Sequence, residues 1–335
     1  MTSSEDAFQQ LARILASRDN NVLEIEILSP TLGLPLLQDG LAVGITKKAL
    51  VQAFTVARQL FNNRVPDPRD APACLAASEV ILLFDCEHLT ACNWRKRWML
   101  ASMAQRGAGA DKAPAPIQIL EAELRLMSSY QCSPLHRHTK SPTLWHHRLW
   151  VLQHLLPLHS CTPERLLELQ RAELDVVLRA AELHPKNYYA FSYMRQLHML
   201  LADVGVDKDQ SSSVELARVM VGPVFDWCLS NPRDISGWAF GLYLLIHVPG
   251  QQIRVDTVDR VLRFARDVGW EGESLWTFVD QAVQQFQLDH VAEYLLQCPE
   301  TSLAGIPAAT QKMPWLTWLT RARAYWAVNG QNLTT

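Results

Sequence analysis

Apolar residues recur at helical spacing through most of the chain. The clearest case is 163–183, which follows an N-cap candidate, Thr162, and has Pro163 at its first helical position. Further helices are predicted over 46–63, 74–87, 187–203, 213–229, 234–247, 255–268, 273–284, 286–297 and 315–328. Gly222-Pro223 should kink or cut the helix at 213–229. The stretch 22–28, with acids at alternate positions, predicts an edge strand without an evident partner.

Self-comparison reveals a repeat. Five segments share a polar turn followed by a large residue that opens a helix, and we call that position the slot. The slot holds Cys92, Trp145, Phe191, Trp238 and Trp276. Spacings of this size leave room for two helices per repeat, which predicts an all-α solenoid of stacked helical hairpins. An aromatic at each slot would fill the gap between adjacent hairpins.

Proline-rich and small-residue stretches suggest the domain limits. VPDPRDAPA (65–73) separates residues 1–65 from the rest, and these residues are predicted to form a helical cap of unclear role. The repeats are predicted over 74–300, with a C-terminal helix and tail over 301–335. A second loop, RGAGADKAPAP (106–116), lies inside the repeat region.

Composition excludes several classes of protein. Charged residues make up 19% and the net charge is −3, so a dominant basic field that would hold nucleic acid is excluded. No window approaches the ~18 uncharged apolar residues of a membrane helix, and the first residues lack the pattern of a secretory signal. Seven cysteines without CxxC pairs are typical of free thiols in a reducing compartment. We therefore expect a cytoplasmic protein without a membrane span.

The five segments resemble the protein prenyltransferase alpha subunit repeat, whose pattern runs roughly N/H-P-x-N/S-Y-x-x-W-x-x-R. PTLWHHRLWVL (142–152) and HPKNYYAFSYMRQL (184–197) are the most specific matches. The resemblance implies a right-handed α-α superhelix. The divergence of the repeats suggests the variant branch of alpha subunit repeat-containing proteins, rather than the housekeeping farnesyl- or geranylgeranyltransferase subunit.

The resemblance also implies a function. Alpha subunits of this family pair with a beta subunit that holds zinc, and the heterodimer transfers a geranylgeranyl or farnesyl group to a C-terminal cysteine of a protein substrate. Lys140 falls on the family's diphosphate lysine, and Tyr188 on the tyrosine whose hydroxyl binds the diphosphate. Asn187, Tyr189 and His147 are second candidates for the isoprenoid diphosphate. The chain alone should be inactive and should need no cofactor of its own.

Some positions depart from the family pattern. The repeat arginine is present as Arg95 and Arg148 but is replaced by Met194 and Gly241, so those two junctions should depend more on packing. Pro142 occupies a tyrosine position. The sequence is therefore also compatible with a second function, that of a non-catalytic scaffold derived from the same family. Without the resemblance, Lys140 is typical of a solvated surface lysine and Tyr188 of an aromatic packed at a helix start.

A histidine cluster raises the question of a metal site. His136, His138, His146, His147, His154 and His159 lie within one short stretch. His147 and His154 share a helical face but lie about 10 Å apart at 1.5 Å per residue, and no cysteine pair supports them. No metal is therefore expected in this chain. The phosphate-loop, nucleophile-elbow and HExxH motifs are absent from the sequence.

Overall fold

The computed structural model describes residues 3–64, 71–106, 115–159, 162–204, 210–270 and 272–288. The chain divides into two compact units, one over 1–206 and one over 207–335. Each unit is described by itself below.

The first unit carries eight α-helices and three strands in its described part. The helices are α1 (Ser4–Ala16), α2 (Lys47–Arg64), α3 (Ala71–Phe84), α4 (Leu89–Arg106), α5 (Pro116–Gln131), α6 (Pro142–Leu155), α7 (Pro163–Leu183) and α8 (Tyr188–Val204). Helix α7 matches its predicted bounds, because Thr162 accepts the backbone N–H of Arg165 as N-cap and Pro163 follows it. Helix α6 begins in the same way, with Ser141 accepting from Leu144.

The first residues form a small sheet as well as helices. Its strands are β1 (Glu24–Leu28), β2 (Leu36–Asp39) and β3 (Ala42–Thr46), in the order β1-β3-β2. Strand β1 pairs in parallel with β3, and β2 pairs antiparallel with β3. The predicted strand at 22–28 is therefore confirmed as an edge strand. Its partner β3 went unpredicted, so residues 1–65 contain a three-stranded sheet where the sequence suggested a helical cap with one unpartnered strand.

Helix α5 covers the outer edge of β1. The backbone N–H groups of Leu23 and Ile25 donate to Ser129 Oγ (2.9 Å) and Ser133 Oγ (2.7 Å). Ser129 lies on α5 and Ser133 lies two residues beyond its end. Together they satisfy an edge that would otherwise expose unpaired backbone donors. The sheet is thereby fixed to the repeats.

The repeats are helical hairpins. In the first unit α5 packs on α6 and α7 on α8, and α6 also packs on α8. The second unit contains α9 (Gln210–Ser230), α10 (Ile235–His247), α11 (Gln251–Asp267) and α12 (Glu273–Phe286), with α10 packed on α9 and on α12. The predicted all-α repeat fold is confirmed. None of the helices in the described part of the chain is both long and apolar enough to cross a membrane.

Helix α9 is not cut at Gly222-Pro223, because Pro223 lies inside one continuous helix. Gly222 and Pro223 are both exposed, while Val224 and Phe225 beside them are buried. Packing of the buried face against α10 therefore holds the helix together although proline removes one backbone donor. The predicted helix at 315–328, most of that at 286–297 and the segment 301–335 lie outside the described residues.

Candidate functional site at the repeat turns

The slot tryptophans share one hydrogen bond. Each donates its indole N–H to the backbone carbonyl six residues earlier, in the turn before its helix. The pairs are Trp145 Nε1 with Thr139 (2.8 Å), Trp238 with Pro232 (3.0 Å), and Trp276 with Trp270 (2.9 Å). All three side chains are buried. The slot is therefore a core position that also holds the turn against its helix.

The slots at Cys92 and Phe191 lack an indole, and other side chains take its place. In both repeats a residue from the turn before α6 donates to the carbonyl six residues before the slot. The pairs are Ser141 Oγ with the Cys86 carbonyl (3.1 Å) and Lys140 Nζ with the Pro185 carbonyl (2.8 Å). The turn before α6 thus supplies the missing donor to the repeat on either side of it.

We expect Trp238→Phe to lower the free energy of unfolding by about 1 kcal/mol more than Trp145→Phe does. Both changes remove the same atoms, but Thr139 keeps a second donor, Asn187 Nδ2 at 2.7 Å, whereas the Pro232 carbonyl loses its indole. Urea unfolding followed by circular dichroism measures both losses. Equal losses would show that the indole bond contributes nothing beyond the volume of the ring.

The structure brings Lys140 and Tyr188 to one edge of the first unit. Lys140 is half-buried, and its amine contacts Pro185, three residues before Tyr188. Tyr188 and Tyr189 open helix α8 and are 57% and 51% exposed. An ammonium group carries three donors, so two remain after the bond to Pro185. We call Lys140, Tyr188 and Tyr189 the turn edge.

Asn187 and His147 differ from their predicted role. Asn187 is fully buried: its Nδ2 donates to the Thr139 carbonyl, and its Oδ1 accepts the Ala190 N–H at the start of α8. His147 is 1% exposed, and its Nε2 lies 2.7 Å from Glu123 Oε1. Both side chains are committed inside the protein, so neither reaches a ligand at the turn edge.

The repeat arginines tie three helices each. Both are buried at 2% exposure. Arg95 on α4 binds Ser78 on α3 (2.8 Å) and Glu123 on α5 (2.8 Å from Nε). Arg148 on α6 binds Ser128 on α5 (2.9 Å) and both carboxylate oxygens of Glu173 on α7 (2.6 and 2.7 Å). These planar, two-point contacts suit a guanidinium and fix neighbouring hairpins.

Packing replaces the arginine where it is lost. Met194 is fully buried on α8, and its neighbour Tyr193 donates to Glu173. At Gly241 on α10 a Cβ would lie 2.8 Å from the ring of Phe225 on α9. The phenylalanine ring thus occupies the space beside the arginine position, and only glycine allows this approach.

Buried titratable groups support these contacts. Burial alone would raise the pKa of Glu123, but the charge and hydrogen bonds of Arg95 outweigh it and lower that pKa well below its usual range. Burial lowers the pKa of His147, so the neutral ring donates its Nε2 proton to Glu123. Burial raises the pKa of the Cys92 thiol to about 12, which keeps it protonated in the core. Among the described residues, no three His, Cys, Asp or Glu side chains are grouped as metal ligands.

Comparison with known proteins supports the repeat assignment. The family model described as the protein prenyltransferase alpha subunit repeat matches residues 171–201, from within α7 to within α8. The human protein named "Protein prenyltransferase alpha subunit repeat-containing protein 1" is 29% identical over 128 residues, 34% of this chain and 29% of that protein. The Danio rerio protein of the same name is 30% identical over 128 residues, 33% of this chain and 27% of that protein.

The alignment thus spans less than a third of the length of either relative. The matched region contains Glu173, Asn187 and Tyr188, and it ends beyond the Phe191 slot. Residues 171–201 therefore match the protein prenyltransferase alpha subunit repeat, and the chain is similar to the repeat-containing proteins, as the sequence resemblance predicted.

Proposed function

We propose that the chain is the alpha-type subunit of a heterodimeric protein prenyltransferase. In this role it helps bind an isoprenoid diphosphate while a geranylgeranyl or farnesyl group passes to a C-terminal cysteine of a protein substrate. The observation that carries the proposal is the turn edge, where the amine of Lys140 lies beside the turn that presents Tyr188 and Tyr189.

The turn edge has the chemistry that a diphosphate leaving group needs. Negative charge grows on the diphosphate as the isoprenoid carbon departs, and a positioned cation and hydroxyl donors stabilise that charge. The bond from Lys140 to Pro185 orients the ammonium and leaves two of its N–H groups for a ligand. Arg137 and Lys186, both exposed, add positive charge to the same turns.

The partner in this proposal is a beta subunit that holds zinc and most of the isoprenoid pocket, so the chain is inactive alone. Helices α4 and α8 offer a surface for such a partner. Exposed apolar and aromatic residues on them are Leu89, Leu100, Tyr188, Tyr189 and Met199. A partner that covers two or more helices in this way should bury well over ~2,000 Å².

We expect Lys140→Met, assayed in the complex with a beta subunit, to lower prenyl transfer from tenfold to a few hundredfold. This is the rate equivalent of losing charged hydrogen bonds worth roughly 1.5–3 kcal/mol. Single-turnover transfer of a labelled isoprenoid to a protein substrate measures it. Lys48→Met, an exposed lysine on α2, is the matched control and should leave the rate unchanged. Unchanged transfer by the Lys140 variant in an intact complex would contradict the assignment.

The second candidate function is a non-catalytic scaffold that binds a partner through the same helices. Two observations favour it. Pro142 stands where the family has a tyrosine, and Lys140 already donates one hydrogen bond to the Pro185 carbonyl. Co-expression separates the two functions. A stable complex with a beta subunit that consumes no isoprenoid diphosphate supports the scaffold, and failure to form any complex contradicts the enzyme.

A further inference from the structure

A cavity of about 320 Å³ opens in the first unit between α5 and α7. The C-terminal end of α6 and the 3-10 turn Leu156–Leu158 close one side of it. Its larger apolar lining residues are Leu124, Leu155, Leu156, Leu166, Leu169 and Val176. The turn edge lies at the other end of α6, whose 14 residues span roughly 20 Å. The cavity is therefore separate from the site of the proposed function.

Three arginines line the same cavity, and they differ in how closely each is paired with a glutamate. Arg148 is neutralised by its two-point contact with Glu173. Arg165 forms an exposed pair with Glu168 at 3.1 Å. Arg125 approaches Glu121 only to 3.7 Å, which is too long for a hydrogen bond, and its side chain is 22% exposed. Arg125 is therefore the arginine of the three that its glutamate does not hold by a hydrogen bond, and its guanidinium is the one best placed to bind a further anionic partner.

Charge and shape together define that acceptor. Each of the three arginines has one glutamate near it, Glu173, Glu168 or Glu121, but only the contact of Arg125 with Glu121 is too long for a hydrogen bond. A planar carboxylate matches a guanidinium better than a single-point acceptor does. The leucines and the valine favour an aliphatic chain beside it, and a volume at the low end of ligand pockets suits a short one.

We infer that this cavity binds a short aliphatic carboxylate, with the carboxylate on Arg125 and the chain among the leucines of α5, α6 and α7. Nothing in this inference depends on prenyl transfer or on a beta subunit. A neutral alcohol of the same length fills the same apolar space but cannot neutralise the arginine. It is therefore the matched ligand that separates an anion site from an apolar one.

Isothermal titration of the full chain with octanoate tests the inference. We expect one saturable site, with 1-octanol binding at least tenfold more weakly. Arg125→Gln should weaken octanoate binding about tenfold. Leu169→Trp, which fills the cavity from a half-buried position, should abolish it. Arg171→Gln, an exposed arginine on α7 outside the cavity, should leave binding unchanged.

Thermal unfolding of each variant confirms that it is folded before binding is compared. The inference fails if octanoate does not saturate a site on the wild-type chain. It also fails if octanol binds as tightly as octanoate, because the cavity then recognises only the apolar chain. Binding that survives both Arg125→Gln and Leu169→Trp would place the ligand elsewhere and overturn it as well.

Discussion

Arg148→Met is expected to lower the free energy of unfolding by roughly 3–5 kcal/mol, because it leaves the carboxylate of Glu173 buried without its cation. Arg148 donates to both oxygens of Glu173 and also binds Ser128, so three helices lose their common contact. The remaining donor to Glu173, the hydroxyl of Tyr193, carries no charge to replace it. Urea unfolding measures the loss.

Two controls separate this effect from loss of side-chain volume. Arg165→Met removes an exposed pair from α7 and should cost no more than about 1 kcal/mol. The double variant Arg148→Met/Glu173→Leu removes both buried charges and should recover most of the stability. If the double variant is as unstable as Arg148→Met, the loss comes from packing and the isolated charge is not its cause.

The same comparison explains why the repeat tolerates departures from its pattern. Where the arginine is kept, it holds neighbouring hairpins through a buried glutamate. Where it is lost, Met194 fills the space with apolar volume and Gly241 admits the ring of Phe225. Both arrangements stabilise the contact between neighbouring hairpins, since buried ion pairs and well-packed apolar groups of similar volume contribute nearly equally to stability. Divergence at these positions is thus compatible with the fold.

Helical periodicity and repeat spacing were enough to predict most of the repeat helices and the core slots, whereas helix α5 went unpredicted. The signals are strong because an aromatic fills the slot in four of the five repeats, and a Thr-Pro or Ser-Pro pair marks the starts of α7 and α6. Local sequence could not supply the sheet partner, because β2 (LLQD) and β3 (AVGIT) lack the alternation of acidic and apolar residues that marks β1 (EIEIL). Their pairing depends on a tight turn at Gly40, whose φ is +57°.

The side chains at the turn edge were harder to predict from the sequence than the repeat helices. A motif aligns Lys140, Asn187 and His147 with functional positions, but it does not say where each side chain points. In the structure Asn187 is hydrogen-bonded to the Thr139 carbonyl and His147 to the Glu123 carboxylate. The bond from Lys140 to Pro185 exists because the Phe191 slot has no indole, which only a comparison of all five repeats could suggest.

We expect one buried histidine, His138, to make the free energy of unfolding depend on pH. Burial lowers the pKa of His138 to about 4, and its Nε2 donates to the Leu82 carbonyl at 3.0 Å. The unfolded chain takes up the proton near pH 6.5, whereas the folded chain takes it up only near pH 4. Between these values the unfolded state binds more protons, so stability falls as the pH falls, by about 1.4 kcal/mol per pH unit.

His138→Gln should remove this dependence, because glutamine can donate to the Leu82 carbonyl without titrating. Relative to wild type, the variant should gain about 3 kcal/mol of stability between pH 7.5 and pH 4. Unfolding in urea at several pH values measures the difference, and taking the difference cancels the histidines that both chains share, including His147 and His184, whose pKa values burial also lowers. Parallel pH profiles for the two chains would show that His138 keeps an ordinary pKa and that the core near Leu82 admits a charged imidazole.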